Sequence, residues 1–124
     1  MTKRILVVED QEDLRGILRD LLTGSGYDVA EAADGRDGVA KAKSERPDLI
    51  LMDIQIPVLD GYEATRQIKA ASNLKAIPII AVSSFAMKGD EEKARASGCD
   101  SYVTKPYSPL QLLRMIRGFL GEQT

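Results

Sequence analysis

Short, fully aliphatic runs separated by longer amphipathic segments run through this chain, and that alternation admits few folds. Ile5-Leu-Val-Val8 and Leu49-Ile-Leu-Met52 are apolar at every residue, so strands built from them must be covered on both faces. Strand followed by crossover helix, repeated, gives a parallel sheet with helices on both sides. The candidate strands are Arg4–Val8, Asp28–Ala32, Leu49–Met52, Pro78–Val82 and Ser101–Val103.

The helices follow from spacing and punctuation. Leu14, Ile17, Leu18, Leu21 and Leu22 recur at helical intervals, and Gly24 and Gly26 stop that segment. A weaker helix over Gly35–Ser44 carries Val39 and Ala42 and halts before Pro47. Gly61–Ala71 carries Ala64 and Ile68, and Met87–Ser97 is mostly charged, with Gly98 placed as its C-cap. Ser108 caps a last helix begun by Pro109. The fold class is α/β, five repeats of strand then helix. With no internal repeat, low-complexity stretch or linker, residues 1–124 read as one domain, its ordered part running from about Lys3 to Gly121.

Composition narrows the chemistry. The chain has no histidine, which excludes His-based triads, His metal sites and His general bases and leaves carboxylates, hydroxyls and lysine. Seventeen Lys+Arg against nineteen Asp+Glu give a net charge of -2, no electrostatic footprint for nucleic acid or an anionic membrane. The single cysteine, Cys99, cannot form an internal disulfide, which points to a reducing compartment, and its place after Gly98 suits a compact core filler. The apolar stretch after Met1-Thr-Lys-Arg4 is too short for a signal peptide or a spanning helix. A cytoplasmic protein is expected.

Three acids stand at or just beyond the carboxyl ends of apolar strands: Glu9 and Asp10 after the first, Asp53 after the third. Open α/β sheets bind ligands at those ends, where the strand order reverses. With the order 2-1-3-4-5, strands one and three are neighbours and the three acids converge. Like charges brought together need a cation or a proton, and oxygen ligands of this kind suit Mg²⁺. Acids after strands also serve as solvated loop residues or helix caps, and Asp10 is placed to cap the first helix. Ser83 and Lys105 follow the fourth and fifth strands, a hydroxyl and an ammonium at the same rim that could bind a phosphoryl group. Pro106 stiffens the loop after Lys105 and is compatible with a cis bond.

These residues resemble the receiver domains of two-component response regulators. The carriers are Ile5-Leu-Val-Val-Glu9-Asp10, Leu49-Ile-Leu-Met-Asp53-Ile-Gln-Ile-Pro57, Asp60-Gly61, Ala81-Val-Ser83 and Tyr102-Val-Thr-Lys105-Pro106. Val8-Glu9-Asp10, Met52-Asp53-Ile54-Gln55 and Phe85-Ala-Met-Lys-Gly-Asp90 point to the stand-alone, single-domain members, as does the lack of an output domain before Thr124. The resemblance implies a flavodoxin-like, doubly wound five-stranded parallel sheet of order 2-1-3-4-5 with five helices.

By the same resemblance, Asp53 is the nucleophile that takes a phosphoryl group from a sensor histidine kinase or a histidine phosphotransfer protein. Mg²⁺, with Mn²⁺ as a substitute, falls to Asp10 directly, Glu9 through water, Asp53 and the backbone carbonyl of Gln55. Ser83 is the switch hydroxyl, Lys105 pairs with the phosphate, and Tyr102 is the switch aromatic. Gln55 and Phe85 sit where the phosphorylated lifetime is tuned. Helix one resembles the kinase-docking element, although its apolar residues read first as core. The output partner is expected at the helix 4–strand 5–helix 5 face, on a monomer or weak dimer. In the last helix Leu112, Leu113, Met115, Ile116, Phe119 and Leu120 span about 160°, wider than a core stripe needs, so Met115 or Phe119 either packs under loops or joins that face.

Competing readings meet obstacles in the same residues. A phosphohydrolase of the dehalogenase type needs a second acid two residues after its nucleophile, and Gln55 stands there, so the chain is expected not to be a turnover enzyme. A flavin binder needs a Ser/Thr/Gly-rich loop after strand one, which here is the acidic Glu9-Asp10-Gln11-Glu12-Asp13. A phosphorylation-independent scaffold would have no use for a complete set of competent groups.

Overall fold

The computed structural model describes residues 2–84 and 88–122. Its elements run β1 Arg4–Val8, α1 Glu12–Gly24, β2 Asp28–Ala32, α2 Gly35–Glu45, β3 Leu49–Asp53, α3 Gly61–Ala70, β4 Ile79–Ser83, α4 Lys88–Ser97, β5 Ser101–Thr104 and α5 Pro109–Phe119. All strand pairs are parallel, and the order is β2-β1-β3-β4-β5, as expected. Three strands differ from the expected ranges by one residue, β5 running on to Thr104. β3 extends to include Asp53, and β4 starts at Ile79 and takes in Ser83, because both residues pair with neighbouring strands (Asp53 with Val82, Ser83 with Thr104). Pro78, lacking an N–H, stays outside the ladder.

The aliphatic strands divide their side chains between two cores, as period-two alternation requires. Leu6, Val8, Ile50, Met52, Ile79 and Ala81 pack with Val39, Ala42, Ala64, Ile68 and Ala94 from α2, α3 and α4. Ile5, Val7, Leu49, Leu51 and Ile80 pack with Leu18, Leu22, Leu112, Leu113 and Ile116 from α1 and α5. β3, β4 and β1 beyond Arg4 are buried throughout and form a rigid floor whose carboxyl ends carry the polar residues of interest.

The helix starts are chemically explicit. Asp34, Asp60 and Ser108 each accept a backbone N–H three residues on, at 2.7, 2.9 and 3.3 Å, and Pro109 takes the first turn of α5. α1 departs from the cap reading: its N-cap is Gln11 and makes no side-chain cap, so Asp10 is released from that task. The α1 stripe also divides. Leu18 and Leu22 are buried, but Ile17, read first as core, is 62% exposed. In α5, Met115 and Leu120 pack against the core while Phe119 stays 39% exposed, so the surplus apolar residues have both fates. Cys99 is buried with its thiol 3.7 Å from the Thr65 hydroxyl, and burial pushes the thiol pKa up, which fits a filler.

The loop between β3 and α3 is pinned by close backbone approach. A Cβ on Gly61 would lie 2.4 Å from the Asp53 carbonyl oxygen, and one on Gly35 would lie 1.7 Å from that of Leu59. In the same loop, exposed Val58 holds φ at +72°, a left-handed conformation that a β-branched residue adopts at a cost. Asn tolerates that conformation without giving up a side chain. Val58→Asn is expected to raise the unfolding free energy in urea by about 1 kcal/mol; a variant less stable than the parent would refute the strain.

Candidate functional site

In register, Val8 pairs with Met52, Asp53 with Val82, and Ser83 with Thr104, so four strands end at nearly one level. The next residues off β1 and β5 are Glu9, Asp10 and Lys105. β2 lies on the far side of β1 from β3, which makes the β1–β3 boundary the reversal point of the sheet.

Glu9 and Asp53 are 3% and 4% exposed, unusually deep for carboxylates. Lys105 spans them, its Nζ 3.2 Å from Glu9 Oε1 and 3.2 Å from Asp53 Oδ2. Their other oxygens accept backbone amides: Gln11 N–H donates to Glu9 Oε2 and Gln55 N–H to Asp53 Oδ1, both at 3.1 Å. Asp10 stays exposed at the mouth. Glu9, Asp10 and Asp53 each offer a carboxylate oxygen within 4.8 Å of the others. As carboxylates, three acids against one ammonium leave two negative charges uncompensated. That set, all hard oxygen donors with one member open to solvent, fits a small divalent cation in charge and in chemistry.

Lys105 is the electrostatic keystone. Burial works against its charge, but Asp53 and Glu9 together outweigh that and hold its pKa above the ordinary lysine value. A raised lysine pKa stabilises the fold fully below the ordinary value, and that contribution is lost only as pH climbs through the raised one. At neutral pH Lys105 therefore carries its charge. The Lys105–Pro106 peptide is cis.

Ser83 is fully buried at the end of β4, and Gln55 reaches it from the neighbouring loop. Gln55 Nε2 donates to Ser83 Oγ at 2.7 Å, while Gln55 Oε1 accepts the Ser84 N–H at 3.1 Å. The Ser84 N–H can only donate, which fixes the amide orientation and makes Ser83 Oγ the acceptor. Tyr102 packs against the α2–α3–α4 core, on the sheet face that Ser83 shares by alternation. Phe85 lies outside the described residues.

The sequence reading missed three participants. The Gln55 side chain joins the switch hydroxyl, although Gln55 was expected only to lend its carbonyl to the metal and to tune the phosphorylated lifetime. Arg15 on α1 donates to the Glu9 carbonyl oxygen at 2.9 Å, a contact that spacing alone does not disclose. Tyr107, with its pKa raised chiefly by burial, borders an apolar groove of about 500 Å³ beside Lys105, which Leu14, Ile17, Pro106 and Pro109 also line. That groove accounts for the exposure of Ile17.

The chain matches the family model described as the response regulator receiver domain over residues 5–117. It is 43% identical to the polar-differentiation response regulator DivK of Brucella ovis, and equally to that of Brucella abortus, across 98% of this chain and 99% of each relative. Among solved structures it is similar to the receiver domain of a sensor histidine kinase from Pseudomonas aeruginosa PAO1, which holds a magnesium ion in its active-site cleft (TM-score 0.91, 38% identity, 98% of this chain and 100% of that one). It is also similar to the chemotaxis protein CheY4 of Vibrio cholerae (TM-score 0.91, 29% identity, 96% and 99%). Fold, strand-end constellation and sequence agree: this chain belongs to the response regulator receiver domains.

Proposed function

We propose that this protein is a single-domain response regulator, one unit over residues 1–124, that stores a phosphoryl group on Asp53. The observation that carries the reading is Lys105, 3.2 Å from both Asp53 and Glu9, with Asp10 opening the same cluster to solvent. An Asp53 carboxylate oxygen attacks phosphorus as the bond to a histidine nitrogen of the donor breaks, giving an acyl phosphate on this chain and a neutral imidazole on the donor after proton uptake. Mg²⁺, or Mn²⁺ in its place, would be held by Asp10, Glu9, Asp53 and the Gln55 carbonyl, and would offset charge on the transferring group. Lys105 is placed to follow the phosphoryl oxygens as the carboxylate charge moves outward. The Ser83 hydroxyl, which accepts from Gln55, is the donor to a phosphoryl oxygen in this reading. Tyr102 and the α4–β5–α5 face carry the change to an output partner.

The donor is a sensor histidine kinase or a histidine phosphotransfer protein, and the groove bordered by Leu14, Ile17 and Tyr107 suits its docking beside Asp53. The protein acts in the cytoplasm as a monomer or weak dimer, without nucleic acid or membrane. Among the described residues no helix is long and apolar enough to cross a membrane. It is a switch and not a turnover enzyme, because Gln55 supplies an amide where a phosphohydrolase would need a second acid.

Incubation with Mg²⁺ and acetyl phosphate should add one phosphoryl group to the intact protein mass. The adduct should be absent with chelator and in Asp53→Asn. An unmodified protein across several phosphodonors would overturn the reading in favour of a scaffold. Gln55 and Phe85 set how long the phosphate stays, Phe85 by shielding the acyl phosphate from water. Phe85→Glu should lose phosphate several-fold faster; a rate equal to the parent's would remove Phe85 from that role.

A further inference from the structure

We infer that Arg15 is a positioning residue for the metal centre, acting through the peptide unit between Glu9 and Asp10. The inference rests on the proposed Mg²⁺-dependent reading of the site. Arg15 NH1 donates to the Glu9 carbonyl oxygen at 2.9 Å, and its Nε donates to Glu31 Oε1 at 3.2 Å. Glu31 is itself held. Its other oxygen faces Arg19 NH1 at 3.5 Å, and its backbone carbonyl accepts from Lys41 Nζ. The guanidinium thus ties the point where the chain leaves β1 to a fixed residue of β2.

The peptide matters because it is planar: the Glu9 carbonyl oxygen and the Asp10 nitrogen and Cα move as one body. Its neighbour on the other side is also fixed, since Glu9 N–H donates to Ala32 O at 3.0 Å. Glu9 has two further anchors on its carboxylate, Lys105 and Gln11 N–H. Asp10 has none: among the described residues no group donates to its exposed carboxylate. Where that carboxylate sits relative to Asp53 is therefore set by the backbone, and Arg15 orients the backbone.

The two roles open to a cation beside three acids predict opposite signs. A purely electrostatic Arg15 repels Mg²⁺, so its removal would tighten binding. A positioning Arg15 pre-organises Asp10, so its removal would weaken binding. Residues that orient metal ligands without touching the metal typically govern affinity by about ten- to a hundredfold.

The experiment is a Mg²⁺ titration of the full chain, followed at the Asp10 and Asp53 backbone amides by NMR, for the parent, Arg15→Met and Arg15→Lys. Thermal unfolding in chelator is measured alongside. Arg15→Met should bind Mg²⁺ about tenfold more weakly. Arg15→Lys keeps the charge but cannot grip Glu9 and Glu31 together, and should fall between the other two. Equal or tighter binding by folded Arg15→Met would overturn the inference. So would variants that lose thermal stability with unchanged affinity, the mark of a merely structural role. If Arg15→Met does not fold, Arg15→Lys decides, and parent-like affinity overturns the inference. A parent whose Asp10 and Asp53 amides ignore Mg²⁺ would instead remove the metal centre itself, and the inference with it.

Discussion

Glu9 and Asp53 are nearly completely buried, and both lean on one ammonium, Lys105, at 3.2 Å. Two such carboxylates without that partner would face each other in a poorly solvated cleft, with Asp10 adding a third charge at its mouth. The clamp is not an efficient way to stabilise a fold, because desolvating paired charges consumes most of what their attraction returns. Its value lies in the imbalance it leaves. Three acids and one lysine remain two charges short of neutrality, a deficit that suits a divalent cation. With such a cation held by these acids, a tetrahedral group bearing its own negative charge would have Lys105 as a second positive partner.

The scaffold makes that imbalance tolerable by making it rigid. β1, β3 and β4 are buried on both faces, so the ends of these strands cannot drift apart to relieve repulsion. The loop after Asp53 is pressed against Gly61 and Gly35, where even a methyl group would collide with backbone carbonyls. Gln55 laces this loop to the end of β4 through Ser83 and Ser84. Asp53 is thereby joined to Ser83 and Ser84 by hydrogen bonds that all pass through Gln55. The groove beside Lys105 is lined by Ser84 as well, so it borders both the acidic cluster and the end of β4.

Much of this is legible in the amino-acid sequence. The aliphatic runs placed β1 and β2 to the residue and the other strands to within one residue, and the order 2-1-3-4-5 brought Glu9, Asp10 and Asp53 together as expected. Legibility failed where a contact depends on side-chain reach and not on period. Ile17 fits the α1 stripe by spacing, yet the groove it borders leaves it in solvent. Asp10 looked like a helix cap because it precedes an amphipathic run, but the helix begins one residue later, after Gln11. The Gln55–Ser83 and Arg15–Glu9 hydrogen bonds join residues whose pairing no local pattern announces. Both contacts involve long polar side chains, whose freedom hides their destination until the backbone is known.

The central claim is that Lys105 and a divalent cation share the neutralisation of one acidic cluster. The most direct test is the unfolding free energy of the parent and Lys105→Met, each measured with chelator and across a Mg²⁺ series. The account predicts that Lys105→Met is less stable by about 1–3 kcal/mol in chelator, from the carboxylates left unpaired. It also predicts that the gap narrows as Mg²⁺ rises, because the more negative site binds the cation more tightly and gains more by linkage. A gap that Mg²⁺ leaves unchanged would mean that lysine and metal do not answer to the same charges, and would contradict the account.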